Sequence, residues 1–95
     1  MLIDTSPLAM EDIINTIAWY EFREYGLGKS FFAMTIASTK NIKTFPYMHP
    51  IILDNVRRVK VKNFSHNLYY VVENQSIIIL RCLHNSADFD SARLK

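Results

Sequence analysis

Residues 56–84 read VRRVKVKNFSHNLYYVVENQSIIILRCLH, a run rich in β-branched and aromatic residues that is broken at Ser65-His66 and again at Asn74-Gln75. Such runs, bounded by polar pairs, predict three consecutive strands over 56–64, 68–73 and 76–84. If both breaks are two-residue hairpin loops, Glu73 faces Ser76, Val71 faces Ile78 and Tyr69 faces Leu80, while Lys62 faces Tyr69 and Lys60 faces Val71. The resulting antiparallel meander has two unlike faces. One carries Val59, Val61, Leu68, Tyr70, Val72, Ile77, Ile79 and Leu83, with Arg81 as its single charge, and should pack on a core. The other carries Arg58, Lys60, Lys62, Tyr69, Val71, Ile78, Leu80, Cys82 and His84, a cationic edge beside an apolar floor. Neither turn has the preferred glycine, and a slip of one residue would exchange the faces.

What must cover the apolar face lies upstream. Met1 to Thr5 is a short apolar start suited to an edge strand, and Ser6-Pro7 reads as an N-cap followed by proline in the first helical position. Met10, Ile13, Ile14, Ile17 and Glu21 then follow three-to-four spacing, so the first four should line a core-facing stripe widened by Trp19, Tyr20 and Phe22. Gly26 is placed to end this helix as a left-handed C′ residue, and Gly28 suits a tight reversal. A second helix over 29–44 carries Phe31, Phe32, Thr35, Ile36, Thr39 and Ile42 on one broad face, and Phe45-Pro46 closes it. Helices joined by so short a turn pack antiparallel. The stretch 46–55, with two prolines and no clean period, reads as a loop ending in Ile51-Ile52-Leu53. The layout is α+β, a helical hairpin on a twisted antiparallel meander, in a single domain spanning 1–95.

Composition narrows the function classes. Hydrophobic residues make up 49% of the chain, which argues for a packed core rather than disorder. The lone cysteine, Cys82, has no intrachain partner and sits in an apolar run, which fits core packing and a reducing, cytoplasmic setting. No basic-then-apolar leader and no membrane-length apolar run is present, so a membrane partner is not expected. No histidine or cysteine pair has metal-ligand spacing, and the residues imply no cofactor. Charge is divided: up to Gly28 the acids Asp4, Glu11, Asp12, Glu21 and Glu24 oppose only Arg23. From Lys29 to Ser86 eight cations, Lys29, Lys40, Lys43, Arg57, Arg58, Lys60, Lys62 and Arg81, oppose Asp54 and Glu73. A cationic half of this kind concentrates nucleic acid or an acidic protein segment.

Trp19-Tyr20-Glu21 leading to Gly26-Leu27-Gly28, then Phe31-Phe32, Pro46, Arg57-Arg58, Phe64, Leu68-Tyr69-Tyr70-Val71 and the ending Leu83-His84 occur in an order that resembles the RelE/ParE superfamily. These are bacterial toxins of type II toxin–antitoxin pairs, also called plasmid stabilisation proteins. The resemblance covers nearly the whole chain and implies the same hairpin-on-sheet fold. It also implies a cognate antitoxin, ParD-like or RelB-like, that masks the working surface and can form a hetero-oligomer with the toxin. Two activities compete within the superfamily, since RelE-like members cleave mRNA on the ribosome and ParE-like members poison DNA gyrase. Lys60 and Lys62 match the paired strand lysines of some of the nucleases. After the last strand, however, Asn85-Ser86-Ala87-Asp88-Phe89 supplies neither the arginine nor the tyrosine common there. The stretch 19–28 also looks closer to ParE-like members, so the resemblance points toward gyrase. A degenerate, non-toxic antitoxin-binding module is the third alternative.

Each candidate residue also has a plainer explanation. Lys60 and Lys62, with Arg58 extending the row, would hold a phosphate in a nuclease, or simply guard an edge strand against aggregation. His84 would move a proton in a nuclease, but a hydrogen-bonded histidine closing the sheet explains it better. His66 and His49 should be solvent-exposed. Arg81 should reach an acid such as Glu21 on the first helix, or else mark a bend that exposes it. The surface expected to meet a partner comprises Arg57, Arg58, Lys60, Lys62, Tyr69, Arg81 and His84. Phe89 and Arg93 join it by weak analogy with the toxicity-bearing tail of ParE-like members.

Overall fold

The computed structural model describes residues 1–92. The elements are β1 (Leu2–Thr5), α1 (Pro7–Arg23), α2 (Leu27–Thr44), β2 (Ile51–Leu53), β3 (Val56–Lys60), β4 (His66–Glu73), β5 (Ser76–His84) and the short α3 (Phe89–Ala92). The strands form one sheet in the order β1-β5-β4-β3-β2, in which β1 runs parallel to β5 and the other neighbours are antiparallel. This is the expected α+β layout, extended by one strand. Ile51–Leu53, read from sequence as the end of a loop, pairs with β3 as the edge strand.

Ser6 starts α1 as expected, its Oγ accepting the Ala9 N–H at 3.1 Å with Pro7 in the first turn. The same residue fastens the helix to the sheet. Its N–H donates to the Ile79 carbonyl at 2.9 Å and its hydroxyl to the Leu80 carbonyl at 3.0 Å, so α1 continues the edge of β5 where β1 stops.

The buried faces of both helices differ from the expected apolar stripes. On α1 the buried residues are Ala9, Ile13 and Thr16, and on α2 they are Gly28, Phe31, Thr35, Ser38 and Ile42. Met10, Ile14, Phe32 and Ile36 are exposed. On α2 Phe31, Thr35 and Ile42 are buried as expected, Thr35 returning its hydroxyl to the Phe31 carbonyl at 2.9 Å. On α1 Thr16 enters the core where apolar counting excludes it, because its hydroxyl bonds the Asp12 carbonyl at 2.7 Å. Gly26 is left-handed, with φ 86°, but it precedes α2 as its N-cap, because α1 already ends at an extended Glu24. Gly28 lies inside α2 and serves close approach. A Cβ there would stand 2.6 Å from the Ile17 carbonyl oxygen of α1. The Glu21 carboxylate closes the junction by accepting the Gly26 and Gly28 N–H groups at 2.9 and 3.0 Å.

The Asn74-Gln75 hairpin forms as read, with both residues at positive φ (51° and 64°), and Glu73 faces Ser76 and Val71 faces Ile78. Beyond it the register changes. Tyr70 pairs with Ile79 but Tyr69 pairs with Arg81, so Leu80 is a bulge residue and the expected Tyr69–Leu80 pair does not occur. The extra residue exchanges the faces of the rest of β5. Cys82 joins Ile77 and Ile79 in the core against the helices, while Leu83 packs on the other side. On the β3 side, Arg58 pairs with Tyr69 and Lys60 with Asn67, four residues away from the expected Lys62–Tyr69 and Lys60–Val71 pairs. β3 stops at Lys60, β4 begins early at His66, and 61–65 form the connection, with Asn63 at φ 71°. An even shift leaves the faces of β3 as expected.

Candidate functional site

Alternation along β3 turns Val59, and Val61 just beyond it, toward the helices and leaves Arg58 and Lys60 exposed on the outer face. Lys62 is exposed in the loop after the strand. Among the described residues no carboxylate lies within ion-pair distance of Arg58, Lys60 or Lys62, the ion pair found there being Arg81 with Asp12. Arg58 shares a cleft with Asp88 and Asp90, while Lys60 and Lys62 stand exposed beyond it. Beside this row lies the apolar floor, where Val56, Tyr69 and Val71 form a second core with Ile52, Leu53, Ile78, Leu80 and Leu83.

The floor is not bare. After β5 the chain reverses, with the Ala87 N–H donating to the His84 carbonyl at 2.9 Å, and Phe89 folds back to stack on Tyr69 at 4.6 Å between centroids. Tyr69 is 3% exposed and Phe89 4%. Both were expected to be contact residues, and both are instead covered by each other. What stays open is a groove of about 480 Å³ lined by Pro7, Leu8, Val56, Val71, Leu80 and Phe89, with Asp54 and Glu73 at its rim. A second cleft of about 270 Å³ runs between Arg58, Leu53, Tyr69, Asp88 and Phe89.

Two expected contact arginines are engaged within the chain. The Arg57 guanidinium donates to the carbonyls of Tyr47 (3.1 Å) and His49 (2.7 Å) and lies over the Tyr47 ring, which fixes the loop between α2 and β2. Arg81 follows the first of its two expectations, meeting an acid of α1; the strand bulges beside it, but the side chain is 12% exposed rather than turned out to solvent. That acid is Asp12 rather than Glu21, because Glu21 lies at the other end of the helix, capping α2. Arg81 Nε and Nη2 donate to Asp12 at 2.7 and 2.9 Å, and the Cys82 N–H donates to the same carboxylate at 3.0 Å. The Asp12 hydrogen bond holds the Arg81 pKa above its ordinary value. Arg93 lies outside the described residues.

The histidines are distributed differently from the sequence expectation. His66 is buried, its Nδ1 within 3.1 Å of the Tyr20 hydroxyl and its ring packed among Tyr20 and Phe31. Burial, with a smaller contribution from neighbouring His84, lowers its pKa to about 4. His49 is half-buried, bonded to the Asn41 side chain at 3.0 Å, and burial lowers its pKa with help from Arg57. His84 is exposed and accepts the Ser86 N–H on Nδ1 at 3.1 Å, so its neutral ring carries the proton on Nε2. Its ring stands 5.2 Å from that of His66, so the bulge has carried it to the helix side of the sheet. Lys60 and His84, which a nuclease reading would need together, thus lie on opposite faces. His66 was missed because a polar pair flanked by strands reads as a turn, and nothing local announces a β4 that starts two residues early.

Cys82 is buried, and burial pushes its thiol up to about 12. Among the described residues there is no cluster of three or more metal-ligating side chains, and no helix is long and apolar enough to cross a membrane. No family model and no curated protein matches the chain. Among solved structures it is similar to a chain titled as the chromosomal ParDE toxin–antitoxin system from P. aeruginosa, with a TM-score of 0.74 and 18% identity over 88% of this chain and 95% of that one. The hairpin, the five-stranded sheet and this likeness together give the chain the RelE/ParE-like fold that its sequence resembles.

Proposed function

We propose that the chain is the toxin of a type II toxin–antitoxin pair, acting as one domain in the cytoplasm on DNA gyrase and held in check by a cognate ParD-like antitoxin. The observation that carries the proposal is the outer face of a RelE/ParE-like sheet, where Arg58, Lys60 and Lys62 form an exposed cationic row and Arg58 lines a cleft with Leu53, Tyr69 and Phe89 of the apolar floor. An antitoxin segment with acidic and apolar residues matches both halves of that face. The groups that ribosome-dependent mRNA cleavage would use are divided between the two faces of the sheet, which favours binding over cleavage.

The test is to add the purified chain to gyrase and follow supercoiling and trapped DNA cleavage, with and without a ParD-like antitoxin, sought as a small acidic protein in the neighbouring reading frame. Loss of supercoiling that the antitoxin reverses is expected, and the triple variant Arg58→Glu, Lys60→Glu, Lys62→Glu should escape the antitoxin. Unaffected gyrase combined with cutting of ribosome-bound message would overturn the gyrase target. Normal growth of cells expressing the chain alone would overturn toxicity itself.

A further inference from the structure

The outer face of the α1–α2 hairpin carries apolar surface that neither the core nor the sheet face uses. Met10, Ile14, Phe32 and Ile36 are 48%, 57%, 48% and 39% exposed. The contact of Gly28 with Ile17 and Glu21 fixes the helix register, and helical spacing then sets Ile14 beside Phe32 and Met10 beside Ile36 along one seam. The two flanks of this seam differ in charge. On α1 it is bordered by exposed Glu11 and Glu21, and on α2 by exposed Lys29, Lys40 and Lys43, a helix with no acid at all.

We propose that this seam is the interface for a second copy of the chain, related by a two-fold axis parallel to the helices. A partner helix of a single charge sign would be repelled along one flank. A second copy in this orientation sets α1 of each protomer antiparallel on α2 of the other, so that an acidic flank meets a basic one on both sides. A two-fold perpendicular to the helices would instead stack α1 on α1 and α2 on α2, with like charges opposed. The axis parallel to the helices keeps each residue at its own height, so Glu11 of one protomer stands level with Thr35 of the other, about 7.5 Å along the axis from Lys40 and within reach of its field. The product is a four-helix bundle with a seam of Met, Ile and Phe, which leaves both outer sheet faces open.

Sedimentation equilibrium on the purified full-length chain tests the proposal. The wild type should be a dimer at micromolar concentration, and Ile14→Asp, at an exposed site, should be a monomer with an unchanged circular dichroism spectrum. Glu11→Lys and Lys40→Glu should each weaken association about tenfold or more through like-charge opposition, and the two combined should restore it. A monomeric wild type, a dimer indifferent to Ile14→Asp, or a double variant no better than either single one overturns the interface. So does a seam occupied by antitoxin while the toxin stays monomeric.

Discussion

Replacing Asp12 with alanine removes one carboxylate that serves three donors, Arg81 Nε at 2.7 Å, Arg81 Nη2 at 2.9 Å and the Cys82 N–H at 3.0 Å. The pair is nearly enclosed, with the Arg81 and Asp12 side chains 12% and 15% exposed. Removing one partner from such a pair costs about 3 kcal/mol, because the guanidinium keeps its desolvation and loses its carboxylate. The Cys82 N–H beside the bulge adds about 1 kcal/mol as a buried donor without an acceptor. A domain of this size holds only about 5–15 kcal/mol in total, and each kcal/mol moves its melting point by about 4–8 °C, so a drop of roughly 15–30 °C is expected. Urea unfolding followed by circular dichroism measures the loss directly, with Glu24→Ala, at an exposed site, staying within about 0.5 kcal/mol of wild type. The double variant Asp12→Leu, Arg81→Met should regain part of the loss, since no buried charge is then left without its partner. A loss below about 1 kcal/mol for Asp12→Ala would refute the role given to this carboxylate in tying α1 to the bulged strand.

Two further outcomes follow from the geometry. His66 has a folded pKa of about 4 against an ordinary value of 6.5, so it gives stability that is full above pH 6.5 and is lost as the pH falls toward 4. The span is worth up to about 3 kcal/mol, and His66→Phe should flatten the stability profile there; an unchanged slope would assign the acid sensitivity elsewhere. Gly28→Ala should destabilise by about 1–3 kcal/mol although alanine is the better helix former, because the Ile17 carbonyl 2.6 Å from the new Cβ belongs to the backbone and cannot swing aside. A higher denaturant midpoint for this variant would contradict the close approach of the two helices.

Much of the fold could be read along the chain because its signals are local. Ser6-Pro7 started a helix through its own cap, Asn74-Gln75 turned a hairpin through two residues that tolerate positive φ, and the alternation of Val59, Lys60 and Val61 set the faces of β3. The candidate surface was legible to the same depth: Arg58 and Lys60 stand where period-two alternation puts them, and Cys82 is the core filler its apolar neighbours suggested. Where the sequence fell short, the deciding contact joined residues far apart. The bulge at Leu80 has no glycine to announce it, and it places Arg81 on Asp12, 69 residues away. That one inserted residue moved Cys82 and His84 to the helix side, separated His84 from the lysines and put Leu83 on the floor that Phe89 covers. Likewise, Thr16 entered the core ahead of Met10 because its hydroxyl found a carbonyl one turn back. Sequence by itself determined the two long helices, the N-terminal strand and the three-stranded meander with the charge each presents, since propensity, capping and alternation act over a few residues. Only the tertiary structure decided register, the identity of Arg81's partner and which apolar residues stay outside, since these depend on which distant groups satisfy one another once the helices meet the sheet.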